Sequence, residues 1–153
     1  MHGSIARKLR IFGFDVEYNS NKEDSDLLKL AEEEQRIIIT SDKGLHQVAL
    51  KRRLVTVLLA EDDELGYVSK IFKHLHLSPC DLDLNNSRCS TCNGLLESVT
   101  RESLKGQIYD LTFKRYSLFY RCSSCGNIFW EGSHWQRIRI FSMNVKKKLV
   151  DMI

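Results

Sequence analysis

Four cysteines and a scattered set of aspartates are the residues of this chain best suited to chemistry. Cys89-Ser90-Thr91-Cys92 and Cys122-Ser123-Ser124-Cys125 are two C-x-x-C pairs. A two-residue spacer lets both thiolates of a pair turn onto one ion. Two pairs complete a closed tetrahedral site of four cysteines, the pattern of a structural zinc. Asn93-Gly94 and Gly126-Asn127 follow the pairs. These residue types accept the positive φ of a tight metal-binding turn.

The aspartates need the fold to bring them together. Asp24 with Asp26, Asp42, and Asp62 with Asp63 occupy three stretches far apart in the chain. Gathered at one place, such carboxylates would take a hard cation, Mg2+ or Mn2+. A metal pair held by Asp can activate water and stabilise the leaving oxygen of a phosphodiester. The plainer reading is helix capping for Asp24, a strand-exit turn for Asp42 and solvated acid for Glu61 to Glu64.

The elements that must position these groups follow from periodicity. Ile5, Leu9 and Phe12 recur at i, i+4, i+7, which predicts a helix over 4–12 that Gly13 ends. Asp15 to Tyr18 alternates as a short strand would. Leu27, Leu30 and Ala31 mark a helix from about Asp24 to Gln35, with acids in its first turn to suit the dipole. Arg36 to Thr40 and Leu54 to Leu59 are continuous apolar, β-branched runs, typical of strands buried on both faces. Helical spacing returns over 43–53 and over 65–76. Strands alternating with helices imply an α/β fold with a parallel sheet. Asp42 then follows one strand, Asp62 and Asp63 follow the other, and Asp24 and Asp26 open the preceding helix. All would lie at the carboxyl edge of the sheet, where ligands bind in such folds.

Around the cysteines, 95–99, 118–121 and 128–131 read as short strands. Residues 100–116 are ambiguous, with Tyr109, Phe113, Lys114, Arg115 and Tyr116 interleaving aromatic and basic character. Residues 135–148 read as a helix or a basic tail. Phe129, Trp130 and Trp135 could stack on bases or form the small core of a ribbon. His134 could touch a phosphate or be a packed, hydrogen-bonded ring. His46 follows Asp42 in the next helix and could approach the acidic edge. His74 and His76 are expected to be exposed, and Cys80 to be a free thiol.

Charge divides the chain. Residues 1–88 carry 13 basic and 15 acidic side chains; residues 89–153 carry 10 and 5, ending in Lys146-Lys147-Lys148. A basic module of this kind suits a polyanion, although a lone Lys triplet is also an ordinary solvated tail. No apolar run is long enough to span a membrane, and the first residues lack the apolar stretch of a signal peptide. The expectation is a cytoplasmic protein without membrane contact, in a reducing compartment where C-x-x-C pairs hold zinc and not disulfides.

Several stretches resemble one known family in order. They are Ile5-Ala6-Arg7-Lys8-Leu9-Arg10-Ile11-Phe12-Gly13-Phe14-Asp15, Leu28 to Glu34, Ile38-Ile39-Thr40-Ser41-Asp42-Lys43-Gly44-Leu45, the paired knuckles, and Phe129-Trp130-Glu131-Gly132-Ser133-His134-Trp135. Together they resemble the Mut-seven C-terminal ribonucleases, a branch of the PIN-like nucleases with a zinc ribbon behind the α/β domain. The resemblance implies a divalent-metal endoribonuclease. Position by position, Asp42 matches the acid after the Ile strand, and Asp24 and Asp26 match the acidic pair that opens the preceding helix. Cys89, Cys92, Cys122 and Cys125 match the zinc ligands. The family's first strand ends in an Asp just ahead of the residues matching Met1-His2-Gly3, and neither is in this sequence. Either the reading frame starts upstream or the protein is a degenerate, non-catalytic member.

The expected organisation is a PIN-like α/β domain over 1–77, a linker over 78–87 and a four-cysteine zinc ribbon with a basic tail over 88–153. Asp24, Asp26 and Asp42 would hold Mg2+ or Mn2+. Zn2+ would be structural. His134, Trp135, Lys114 and Arg115 would contact RNA. The alternative is a non-catalytic RNA- or ribosome-binding zinc-ribbon protein, and a protein partner is a third reading.

Overall fold

The computed structural model describes residues 2–60, 62–78 and 81–152. Glu61, Pro79 and Cys80 lie outside them, and with them the linker proline and the free thiol expected from the sequence. The fold is α/β, with a small parallel sheet flanked by helices and a cysteine cluster toward the C-terminus. It groups into two compact units, residues 18–77 and residues 1–17 together with 78–153. Among the described residues no helix is long and apolar enough to cross a membrane.

The first unit contains α2 (Asp24–Glu34), β1 (Ile38–Thr40), α3 (Lys43–Lys51), β2 (Thr56–Leu58) and α4 (Glu64–His74). The two apolar runs pair in parallel, Ile38 with Thr56, Ile39 with Val57 and Thr40 with Leu58. A parallel pair requires a crossover, which α3 supplies. Leu28, Ala31, Ile38, Leu45 and Ala49 form one core cluster, with Leu27 and Leu54 packed on it, and Val68, Ile71 and Phe72 of α4 are also fully buried. The apolar stripes of α2 and α3 are thereby buried against β1.

The helices of this unit end alike. Gln35, Arg53 and His76 take left-handed φ values of 53°, 61° and 52°. Each following N–H returns to a carbonyl five residues back, Arg36 to Ala31, Leu54 to Ala49 and Leu77 to Phe72. These six-to-one bonds satisfy carbonyls that would otherwise face nothing.

The second unit contains α1 (His2–Ile11), a three-stranded antiparallel sheet and α6 (Ser133–Asp151). The sheet is β3 (Leu96–Val99), β4 (Phe119–Cys122) and β5 (Ile128–Phe129), in that order. Residues 100–118 join β3 to β4 through a 3-10 turn (Arg101–Leu104) and α5 (Asp110–Arg115). Leu84, Tyr120 and Trp135 make a core cluster, onto which Ile11, Leu82, Leu96 and Phe129 pack. The basic tail is therefore a regular helix: its Trp135, Ile138, Ser142 and Val145 share one buried face.

The strand expected over 15–18 does not form. Loop 13–17 instead satisfies its backbone with side chains. The Val16 carbonyl accepts from Arg10 Nε at 2.9 Å, and its N–H donates to Asn93 Oδ1 at 3.0 Å. With both groups of Val16 taken, no strand neighbour is needed.

Candidate metal centre and carboxylate edge

The four cysteine Sγ atoms lie within 4.8 Å of one another. Cys89 and Cys125 are 3.6 Å apart at sulfur, and Cys92 and Cys122 are 3.4 Å apart. Four thiolates about 2.3 Å from a tetrahedral zinc would sit about 3.8 Å from each other. The residues present therefore fit a metal held by four thiolates, such as zinc. All four are free cysteines, Cys89 and Cys122 buried, Cys92 and Cys125 exposed.

The knuckle turns are built from the backbone. Cys89 N–H donates to Gly94 O at 2.8 Å, and Cys122 N–H to Asn127 O at 2.9 Å. Asn93 (φ +70°) and Gly126 (φ +76°) take the left-handed conformation foreseen from their types. A Cβ on Gly94 would sit 2.7 Å from Cys122 Sγ, so this position must be bare. Burial works to raise the Cys122 thiol, but the N–H groups of Cys125 and Ser124 and the neighbouring thiols outweigh it and lower it to about 7. Burial pushes the Cys89 and Cys92 thiols up. Donors aimed at sulfur favour the thiolate that binds metal.

A brace from α1 surrounds the first knuckle. Arg10, only 6% exposed, donates from its guanidinium to the carbonyls of Ser90 and Thr91, each at 3.1 Å. Asn93 Nδ2 donates to Asp15 Oδ1 at 2.7 Å. Arg88 N–H reaches Arg10 O at 2.8 Å, and Ser87 Oγ reaches Ile11 O at 2.6 Å. Gly13 (φ +95°) passes so close to Asn86 that a Cβ would meet its carbonyl oxygen at 2.6 Å. The stretch from Arg10 to Asp15 thus holds the turns that carry the first cysteine pair. Nothing in its apolar spacing signalled this; the buried arginine between Leu9 and Ile11 was the available clue.

In the unit of residues 18–77, β1 and β2 end side by side, so Asp42 and Asp62–Asp63 leave from one edge. Asp42 is the N-cap of α3, its Oδ1 accepting from Leu45 N–H at 3.0 Å. Its own N–H donates to Thr40 Oγ1 at 3.0 Å. A Cβ on Gly44 would approach Asp42 Oδ1 to 3.0 Å. Every defined position of the T-x-D-x-G-L turn thus serves to hold one carboxylate. Asp42 is exposed, and its second oxygen has no partner among the described residues.

The other acids divide by use. Asp63 caps α4, accepting from Gly66 N–H at 2.7 Å. Asp62 lies 3.1 Å from Lys70 Nζ and accepts from Asp63 N–H at 2.8 Å. Asp24 and Asp26 are exposed in the first turn of α2, and neither side chain caps it. Among the described residues the four cysteines are the one convergent group of three or more potential metal ligands. His46 turns away from the edge: its Nδ1 is 3.1 Å from Thr56 Oγ1, at the start of β2.

The aromatic and basic candidates separate by burial. Trp135, expected against RNA, is 5% exposed and fills the core beside Leu84 and Tyr120, out of reach of a base. A ribbon with few apolar residues has little else to bury. His134 is exposed in the first turn of α6. Lys114 and Arg115 are exposed on α5, and the Arg115 guanidinium lies 5.7 Å from the Tyr116 ring centroid. Tyr116 in turn is 6.4 Å from Trp130.

No curated protein and no solved structure matches this chain. The model of the Mut7-C RNAse domain matches residues 1–141. That span takes in α1, the carboxylate edge, all four cysteines and the first half of α6. The chain belongs to the Mut7-C RNAse domain family.

Proposed function

We propose that the chain is an endoribonuclease that hydrolyses RNA phosphodiester bonds with Mg2+ or Mn2+ held by Asp24, Asp26 and Asp42. The observation that carries this reading is the turn around Asp42. Thr40, Gly44 and Leu45 fix one carboxylate at the carboxyl end of β1 and leave one of its oxygens without a partner. The carboxylates of Asp24 and Asp26 are likewise without partners among the described residues, while Asp62 and Asp63 are committed to an ion pair and a cap. A chain of a ribonuclease-domain family that keeps such carboxylates uncommitted suits oxygen-seeking cations.

A divalent cation there supplies charge to the scissile phosphate and acidifies water. Asp42, oriented by the Leu45 N–H, would hold it and position water; Asp24 and Asp26 would complete the oxygen set. The cysteine cluster takes structural Zn2+, because four thiolates leave no position for substrate. Residues 1–77 would supply the PIN-like part. The basic ribbon, with Lys114, Arg115 and His134, would hold the RNA backbone. A cytoplasmic setting belongs to the reading, since four free thiols at one site need reducing conditions. The test is Mn2+-dependent cleavage of RNA by the zinc-loaded chain. Loss of cleavage in Asp42→Asn, with zinc content unchanged, is the expected result; a chain that never cleaves sinks the reading.

One observation favours a second reading. Among the described residues the carboxylates do not converge as the cysteines do. A non-catalytic RNA- or ribosome-binding protein would bind RNA undiminished in Asp24→Asn and Asp42→Asn, and binding would weaken steeply with salt.

A further inference from the structure

The segment between β3 and β4 carries two features that the packing of its unit does not use. The first is apolar exposure. Tyr109 is 87% and Leu111 82% exposed, the highest values among the large apolar side chains described. The segment is nevertheless anchored, with Leu104 fully buried and Gln107 Nε2 donating to Ser103 O at 2.7 Å. The second is uncompensated charge. Arg101, Lys105, Lys114 and Arg115 stand against only Glu102 and Asp110 as acids over 100–118, while Arg121 on β4 lies across from Glu97 on β3. None of the five cations has a carboxylate partner among the described residues. Arg121 bonds a neutral amide, Gln107 Oε1, at 2.7 Å, and Arg101 stacks 4.5 Å from the Phe113 centroid with its Nε unpartnered.

On α5, Leu111, Lys114 and Arg115 fall at i, i+3, i+4 and share one outward face. Tyr109 stands immediately before the helix, at its N-cap. A partner for this surface must be anionic along its length and must also present apolar faces. Single-stranded RNA does both, with phosphates for the cations and unstacked bases for the ring of Tyr109. A duplex hides its base faces, and an acidic peptide lacks the regular alternation of a charge and a planar ring at every unit of the chain.

We propose that residues 100–121 are a docking surface for single-stranded RNA, with Tyr109 as the stacking platform and Lys114 and Arg115 as phosphate contacts. The proposal deepens the ribonuclease reading and rests on it for the choice of RNA. It replaces buried Trp135 with exposed Tyr109 as the base contact.

The experiment is fluorescence anisotropy of the zinc-loaded chain with a labelled single-stranded RNA of about 12 nucleotides and with its duplex, Mg2+ and Mn2+ omitted. Tyr109→Ala is expected to weaken single-strand binding roughly 5- to 150-fold. Lys114→Gln with Arg115→Gln is expected to flatten the log–log salt slope by about 1.4. Circular dichroism and zinc content verify the fold, which side chains this exposed do not support. Unchanged affinity in both variants overturns the proposal, as does equal binding of the duplex. RNA cleavage measured in parallel separates the two readings. Binding lost in Tyr109→Ala by a chain that cuts nothing retires the nuclease and leaves the surface. Cleavage with undiminished binding in both variants does the reverse.

Discussion

The guanidinium of Arg10 donates to the carbonyl oxygen of Thr91 at 3.1 Å, so a helix at the start of the chain holds a turn between two cysteines 81 residues later. The same group reaches Ser90 O and Val16 O. Three carbonyls share one buried cation. Replacing Arg10 with Met leaves all three without this donor, and each neutral acceptor left dry is costly. Arg10→Met is expected to lower unfolding free energy by about 3 kcal/mol. Urea titration measures the loss, and zinc content after gel filtration should fall with it. Full stability in the variant would show that water replaces the arginine.

Zinc binding should release protons. Cys89, Cys92 and Cys125 are raised above their ordinary value of 9.0, so they are protonated in metal-free protein at neutral pH. Cys122, near 7, is partly ionised there. About three to four protons should appear per zinc bound at pH 7.5. Because protons compete for the same sulfurs, affinity rises with pH and falls as pH drops, most steeply once Cys122 also takes up its proton below about 7. Titration in a weakly buffered solution counts the protons. Release of one or none would contradict four thiolate ligands.

Two glycines of the knuckles should fail in different ways. At Gly94 a Cβ meets Cys122 Sγ and Ser124 Oγ, both at 2.7 Å. Gly94→Ala must push a ligand, and zinc affinity should fall at least about tenfold, as it does when a ligand's surroundings are disturbed. At Gly126 there is open space, but φ is +76°. Gly126→Ala should cost about 1–2 kcal/mol in stability with zinc still bound. Competition with a chromophoric chelator separates the two.

Asp42 carries a cap as well as a proposed metal contact, and the choice of substitution decides which is seen. Asp42→Ala removes the bond to Leu45 N–H and should cost about 1 kcal/mol. Asn caps about as well as Asp. Asp42→Asn should therefore melt within about 2 °C of the parent while Mn2+-dependent cleavage is lost. Equal activity in parent and Asn variant would remove Asp42 from the chemistry.

Helices α1 to α4 were legible because each buries a stripe at a 3.6-residue period, and β1 and β2 because their runs are apolar and β-branched; α5 buries no residue and gave no such signal. The four cysteines were legible because C-x-x-C geometry is local: the spacer alone determines that both sulfurs of a pair meet. The position of Asp42 after its strand was likewise readable, since the run from Ile37 to Thr40 and the helix spacing after it leave little choice.

Other features depended on contacts between residues far apart in sequence. Val16 looked like a strand residue until Arg10 and Asn93 took both of its backbone groups. Trp135 was expected against RNA; only packing against Leu84 and Tyr120 removed it, and the lack of any cover left Tyr109 at the surface. The use of each acid, as cap, ion pair or uncommitted carboxylate, followed from which N–H or ammonium the tertiary structure brought near it. Periodicity and spacing determine what a segment can become by itself. Burial and partners belong to the assembled units, and so the metal-binding turn was written in the sequence while the arginine that braces it was decided by the fold.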